Sequence, residues 1–445
     1  MNDVRSMNGG ISRPVRSWCI RMAGATLAAA LLMWSGRAEA EITLKTAKGW
    51  TLSADGRMNT FGSFMTGDRQ PDGIPNWNGG VDEWYGTTDT QIRSTRIRSG
   101  FISNILGFNL VKPLTETLKV TARLSLWVGI AEARSKTDRT SIDARELYVK
   151  LEGGWGNLLL GKNLALFGRG GILMDYDVQH GFGMGFPCGT ITAPVASCGY
   201  AGHGLLFPSF NAGIVYTTPS MGGLELAAGL YDPASVNERN YNRTPYPRVE
   251  AEATFRVRQI FRVWAGALWQ RIGTNQNATN QLMADARGFT GGFMLSVGPW
   301  ALGASAYQGK GLGVFVPMEN HPLFADQQGV LRGTQGAVGI TSISFGGAKV
   351  AVGGGVTLVS KTSTEQAELN ANPQNNGAFA TQPPAKRQIG ASIGYYHTFL
   401  ESLTFALEYF RGQYEWYDLL DPNTMMGVKK HQNVNFVNTG LTLVW

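Results

Sequence analysis

Leu118-Lys-Val-Thr-Ala-Arg-Leu-Ser-Leu-Trp-Val128 is the stretch on which the reading of the fold turns. Leu118, Val120, Ala122, Leu124, Leu126 and Val128 alternate with Lys119, Thr121, Arg123, Ser125 and Trp127. Successive side chains of a strand point to opposite faces, so this order presents one apolar and one largely polar face. A half-buried strand of a soluble sheet carries the same pattern, and one segment decides little. Recurrence decides.

Working outward, the pattern returns on both sides. Upstream lie Trp50–Phe64 and Gln91–Val111. Downstream lie Ala144–Leu151, Asn157–Lys162, Phe210–Thr218, Leu224–Asp232, Arg248–Val257, Phe261–Trp269, Arg287–Val297 and Trp300–Gln308. Gly336–Phe345, Lys349–Ser360, Gln388–Thr398, Leu403–Tyr414 and Asn433–Trp445 complete the set. These are about sixteen strands, and their connections alternate. Those after odd-numbered strands are long and polar; those after even-numbered strands, such as Gly153-Gly-Trp-Gly156, Gly298-Pro299 and Gly346-Gly347, are short. Short turns at one end and long loops at the other are the asymmetry of a membrane-spanning antiparallel β-barrel, and an even count returns both termini to one side. The expected fold is all-β, a transmembrane barrel occupying residues 41–445 as one domain.

Composition agrees. A strand that faces lipid on one side and water on the other keeps average hydropathy low. The mean hydropathy here is slightly below zero, and no run of about 18 apolar residues occurs that would suggest a spanning helix. Residues 1–40 read as a cleaved export signal. Arg5, Arg13, Arg16 and Arg21 form a basic front, Ala23–Trp34 is a short apolar run, and Ala38-Glu-Ala40 is a small-x-small cleavage pattern. A formal charge of +7 over 445 residues is too even to indicate a nucleic-acid partner. Cys188 and Cys198, the pair left after the signal, suggest a disulfide in an exported chain, and five scattered histidines give no metal pattern.

The segment from Asn163 to Pro208 breaks the pattern. It has neither strand alternation nor a helical stripe, and it far exceeds ordinary connections of about 4–6 residues. Phe167, Ile172, Leu173, Met174 and Phe182 argue against a solvated loop. The expectation is a loop folded into the barrel to narrow its pore, with Arg169, Asp175 and Asp177 as its charged groups. Arg57, Arg96, Arg98, Lys119 and Arg123 are expected on the inward wall, with the aspartates facing them. The Asn/Gln/Ala-rich stretch Glu365–Lys386 reads as a further loop. Gly181–Phe186 only superficially resembles a phosphate-cradling loop, lacking a preceding strand and a following helix.

Several stretches resemble the Gram-negative general (trimeric) porins. Thr95-Arg-Ile-Arg-Ser-Gly-Phe101 and Leu118–Leu124 are similar to that family's second and third strands. Arg145-Glu-Leu-Tyr-Val-Lys-Leu-Glu-Gly-Gly-Trp-Gly-Asn-Leu-Leu-Leu-Gly-Lys-Asn163 is similar to its fourth and fifth. Asn211–Leu224 is similar to the hairpin after its constriction loop. The alternating end Val437, Thr439, Leu441, Leu443 and Trp445 resembles the terminal strand recognised during barrel assembly. The resemblance implies a sixteen-stranded homotrimer whose third long loop enters the lumen. It also implies an outer membrane rich in lipid and lipopolysaccharide, and the barrel-assembly machinery as a partner. Leu159 departs from the family, which often carries a basic residue inward there.

The expected function is a water-filled channel for passive diffusion of ions and small hydrophilic solutes. A substrate-selective channel, for anions or one nutrient, on the same scaffold is the alternative. An enzyme is not expected: a barrel hydrolase would need a Ser/His site on its outer wall, and no Gly-x-Ser-x-Gly occurs. No cofactor is implied.

Overall fold

The structure, a computed structural model, describes residues 41–74, 91–130, 142–187, 197–233, 246–273, 283–318, 324–326, 328–375, 378–379, 384–421 and 423–445. The expected signal, residues 1–40, lies outside the described residues, as does Cys188.

The chain runs through β1 (Ile42–Ala47), β2 (Trp50–Asp68), β3 (Gln91–Arg98), β4 (Asn104–Pro113), β5 (Lys119–Val128), β6 (Ile142–Gly153) and β7 (Gly156–Leu164). It continues through β8 (Phe210–Thr217), β9 (Leu224–Tyr231), β10 (Arg248–Val257), β11 (Phe261–Gly273), β12 (Met283–Val297) and β13 (Trp300–Lys310). Last come β14 (Gly333–Phe345), β15 (Ala348–Val359), β16 (Ala385–Phe399), β17 (Leu403–Leu420) and β18 (Gly427–Val444). Neighbours in sequence pair antiparallel, and β18 returns to pair with β2 from Val434↔Gly67 to Val444↔Arg57, which closes the barrel. β3 and β4 both pair with β2 and are two halves of one stave. β1 pairs with the start of β2, in the position next to β2 that β18 occupies further along. The barrel therefore has sixteen staves.

The interruption between β3 and β4 has a side-chain cause. Asn59 on β2 accepts from Gly100 N at 2.6 Å and donates to Ile102 O at 2.8 Å, replacing ladder bonds. The freed residues turn Phe101 inward, where it is 2% exposed. The expectation that Gln91–Val111 is one continuous strand, with Phe101 facing outward, is thus corrected.

The register settles which residues share a face. Leu124, Leu147, Leu160, Ile214, Leu302, Ile393, Leu407 and Val437 stand on one face and remain exposed, as a lipid-facing surface requires. Trp155, Tyr216, Trp300, Phe345 and Phe399 cluster beside the short turns and form an aromatic belt at that end. Among the described residues no helix is long and apolar enough to cross a membrane; the strands do the crossing.

Among the described residues, two short α-helices are not part of the barrel wall: α1 (Arg169–Val178) and α2 (Ser363–Ala371). The second corrects the reading of Glu365–Lys386 as plain loop. Thr362 Oγ1 accepts from Glu365 N, and the Glu365 carboxylate accepts from Thr362 N, a capping box that satisfies two free helix-end donors. Buried Arg332 holds that same carboxylate with two bonds of 2.6 and 2.7 Å.

Candidate pore constriction

The segment between β7 and β8 carries most of the buried side chains that the barrel wall does not. Gly168, at φ 85°, turns the chain out of β7 and into α1, a conformation that favours glycine. One side of α1 (Gly170, Gly171, Ile172, Met174, Asp175 and Val178) is buried. Gly170 lies flat on the Trp264 ring of β11, where any methyl would collide. Arg169, Leu173, Tyr176 and Asp177 form the other, partly exposed side, the i, i+4, i+7, i+8 spacing of one helical face.

On both sides of α1 the chain is fastened by buried polar groups. Phe167 N donates to Glu250 on β10 at 2.8 Å, and Gly204 N to Thr357 on β15 at 2.9 Å. Gln179 donates to Ser392 on β16 at 2.6 Å. His203 meets Tyr414 on β17 at 2.9 Å. Asn438 on β18 donates to Gly185 O at 3.0 Å, and Arg57 on β2 to Gly181 O at 2.6 Å. By register these wall residues share the face opposite the lipid-facing one. In a closed barrel, a segment touching that face on opposing staves lies on the concave side.

Glu408 on β17 is the centre of this fastening. It accepts from Met184 N at 2.7 Å, Gly185 N at 3.0 Å and the Tyr396 hydroxyl at 2.5 Å. Four Å from it is His180 Nε2, whose Nδ1 faces Asp175 Oδ1 at 2.7 Å. Burial alone would push the His180 pKa down, but Asp175 and then Glu408 outweigh it and hold the pKa above its ordinary value. His203 is equally buried, and that burial pushes its pKa down to about 3. The two histidines are therefore opposite in character, one poised as a cation and one neutral.

A pH dependence follows for His180. Its folded-state pKa exceeds the unfolded value of about 6.5, so its stabilisation is complete below that pH and fades as pH rises through the raised pKa. Heat stability of the wild-type protein should thus decline on the alkaline side, and His180→Gln should remove that part of the profile. Coincident profiles in melts of the two proteins would sink the assignment.

Apolar packing completes the insertion. Phe186 stacks at 17° on Phe315 and meets His203, Phe410 and Phe436. Phe315 belongs to the connection between β13 and β14, whose Leu312, Val314 and Met318 are also buried. Phe207 N donates to Phe315 O at 2.7 Å, so this second connection backs the first.

The expected charged residues fall in several places. Asp175 requires correction: it is fully buried and serves His180 and Tyr200 N (3.0 Å), so it faces no wall arginine. A carboxylate flanked by its own segment's donors needs no help from the wall. Asp177 is exposed but meets Arg262 on β11 at 3.4 Å, not the arginines of the first staves. Arg169 bonds Glu252 on β10 at 2.6 Å. Arg57, Arg96, Arg98, Lys119 and Arg123 do share the inward face. Arg57 and Arg98 are buried, and Arg57 lies 6.0 Å from the Tyr176 ring centroid and 5.6 Å from that of Phe182. Arg123 binds Asp55 at 2.6 Å and Glu146 at 2.8 Å, and Lys119 binds Glu152 at 3.1 Å. Leu159 is buried against Ala165, Leu166 and Val215, sealing the root of the segment. Cys198 is disulfide-bonded, while its expected partner Cys188 lies outside the described residues. Trp445 exchanges two backbone bonds with Gly56, at 2.9 and 3.0 Å.

Sequence reasoning missed Glu408, His180, Glu252 and Arg262. Glu250, Glu252 and Glu408 each stood at an inward position of an alternating strand, a usable signal. Which of them would be covered was not readable.

No curated protein matches the sequence. The fold is similar to that of the anion-selective porin from Comamonas acidovorans, at 16% identity and TM-score 0.56, covering 89% of this chain and 100% of that one. Salmonella typhi OmpF in complex with daunomycin is similar over 91% and 100%, at 14% identity and TM-score 0.52. The trimer form of OmpT from Vibrio cholerae is similar over 89% and 100%, at 13% identity and TM-score 0.50. The Gram-negative porin family model matches residues 22–414. The chain belongs to the Gram-negative porins: it is an outer-membrane channel for the passive diffusion of ions and small hydrophilic solutes.

Proposed function

We propose that solutes pass through the part of the lumen between α1 and the β2–β7 wall, and that this passage prefers anions weakly. The carrying observation is the partly exposed helix face Arg169, Leu173, Tyr176 and Asp177, set inside a wall whose acids are paired. Asp55 and Glu146 are held by Arg123, Glu152 by Lys119 and Lys150, Glu252 by Arg169 and Asp177 by Arg262. Arg57, Arg96 and Arg98 stand on the same inward face. Opposed charges across a narrow aqueous gap favour polar solutes, and the excess sign sets the ion preference. The anion selectivity of the Comamonas acidovorans porin is consistent with this reading. The working unit is taken as a homotrimer, in line with the trimer form of the Vibrio cholerae protein, embedded among outer-membrane lipids and lipopolysaccharide and inserted by the barrel-assembly machinery. It is a channel with no catalytic step of its own.

Asp177 supplies the test. Although one edge of its carboxylate stays open to the lumen, partial loss of water beside β11 raises its pKa above the ordinary aspartate value, against the pull of Arg262 and Lys349. As pH falls, Asp177 should lose its charge before an ordinary carboxylate does, so anion preference should rise above the usual aspartate range. Reversal potentials in a salt gradient should show this in the wild type and not in Asp177→Asn, which should be more anion-preferring throughout. Arg262→Glu should move the preference toward cations, most clearly at low salt where screening is weak. Unchanged reversal potentials in both variants would place the conducting path elsewhere.

A further inference from the structure

The lumen-facing side of α1 carries an apolar group as well as charges. Arg169, Leu173 and Tyr176 follow one another at i, i+4 and i+7, so they form one row with neighbouring side-chain roots about 6 Å apart. All three are partly exposed, and because α1 lies inside the barrel they are exposed to the lumen.

Leu173 is the odd member of the inserted segment. Its sequence neighbours Ile172 and Met174 are 3% and 0% exposed. Among the described residues from 165 to 207, every other Leu, Ile, Val, Met, Phe and Tyr side chain belongs to an apolar cluster or packs against one. Leu173 does neither.

A single leucine in contact with water needs no explanation on a protein surface. The flanks of this one make it informative. One turn before it, Arg169 gives one N–H to Glu252 at 2.6 Å, out of the five that a guanidinium carries. Among the described residues it makes no second hydrogen bond or ion pair. One turn after Leu173, the ring of Tyr176 packs on the apolar cluster and is still partly exposed. Asp177 stands beside Tyr176 and repels a carboxylate from that end. An anion lying along the row is therefore oriented with its carboxylate toward Arg169.

We infer that this row is a subsite for small carboxylates with an apolar body, of which aromatic acids fit best. The carboxylate sits on the unused edge of the Arg169 fork, and the ring covers Leu173 and the open part of Tyr176. The length of such an acid is comparable to one helical turn of 5.4 Å, and covering Leu173 removes apolar surface from water. The inference rests on the reading that α1 borders the conducting path.

The test is the reversal potential across planar bilayers holding the purified full-length channel, with millimolar potassium benzoate or potassium acetate opposite potassium chloride. In a pore without such a subsite the bulkier benzoate passes less readily than acetate. The wild type should instead favour benzoate, by about threefold to fivefold for a ring that covers part of Leu173 and Tyr176. L173Q keeps a good helix former at a position that packs on nothing, and should bring the ratio to one or below. L173M should retain the preference. R169K keeps a cation beside Glu252 but loses the fork, and should lower the permeability of benzoate relative to chloride. A wild-type ratio below one, a ratio that L173Q leaves unchanged, or a benzoate permeability indifferent to R169K overturns the inference. The path is judged separately by Asp177→Asn and Arg262→Glu. If these move the chloride reversal potential while benzoate shows no preference, the path stands and the subsite falls. If they move nothing, both fall.

Discussion

Glu408→Ala is expected to open the channel. The substitution strands Met184 N, Gly185 N and the Tyr396 hydroxyl in a buried site and removes the second carboxylate beside His180. Each buried donor left without an acceptor costs about 1–3 kcal/mol, so with three of them the fastening of residues 183–186 should weaken by at least about 3 kcal/mol. The barrel ladder itself does not depend on this group, so the staves should persist while the inserted segment detaches. Single-channel conductance should rise, by about twofold or more if the conducting cross-section grows in proportion, and open-state noise should increase. Glu408→Gln retains an acceptor and should fall between. A Glu408→Ala channel with wild-type conductance and wild-type noise would mean that the segment's other polar anchors and its apolar packing hold it without Glu408, or that it does not limit the current.

The second large effect is expected at the other end of the chain. Trp445 closes the ladder against Gly56 with a reciprocal pair of backbone bonds, and its ring lies over that glycine. Leu441 and Leu443 stand exposed on the lipid-facing side just before it. Deleting Trp445, or replacing it by Asp, should leave export intact and reduce outer-membrane insertion. A recognition contact of only about 1.4 kcal/mol corresponds to a tenfold change, so surface protein should drop to about a tenth or less. Periplasmic accumulation with little surface signal is the expected pattern on fractionation. Normal surface levels of the truncated chain would show that the terminal residue is an ordinary strand end.

The fold was legible because the barrel's rule is local. A strand between lipid and water needs one apolar and one polar face, and that demand is written residue by residue from Leu118 to Val128 and again in each stave. Short turns such as Gly346-Gly347 are equally local. Charges on the inward face, Arg57 to Arg123, could therefore be placed from alternation alone. What failed were readings that depended on a distant partner. The Phe101 position was misjudged because Asn59, far away in sequence on β2, supplies the bonds that break the stave. The helix α1 was missed because Arg169-Gly-Gly-Ile-Leu carries two glycines, which cost helix propensity; the flat Trp264 surface that repays them is on β11. By contrast, the capping box at Thr362 and Glu365 was local and could have been read.

The closure of β18 on β2 fixed the count of staves, of which the sequence indicated about sixteen. By itself, the sequence determined the barrel, the lipid and water faces, and which connection was too long and too apolar to stand in solvent. Each of these rests on interactions between a residue and its solvent, or between near neighbours in the chain. Only the tertiary structure decided what the inserted segment does with its charges. Asp175 and Asp177 differ by two positions, yet one is buried against His180 and the other exposed beside Arg262. Their roles depend on which wall the helix leans against. That is settled by the joint packing of staves hundreds of residues apart, and no local pattern carries it.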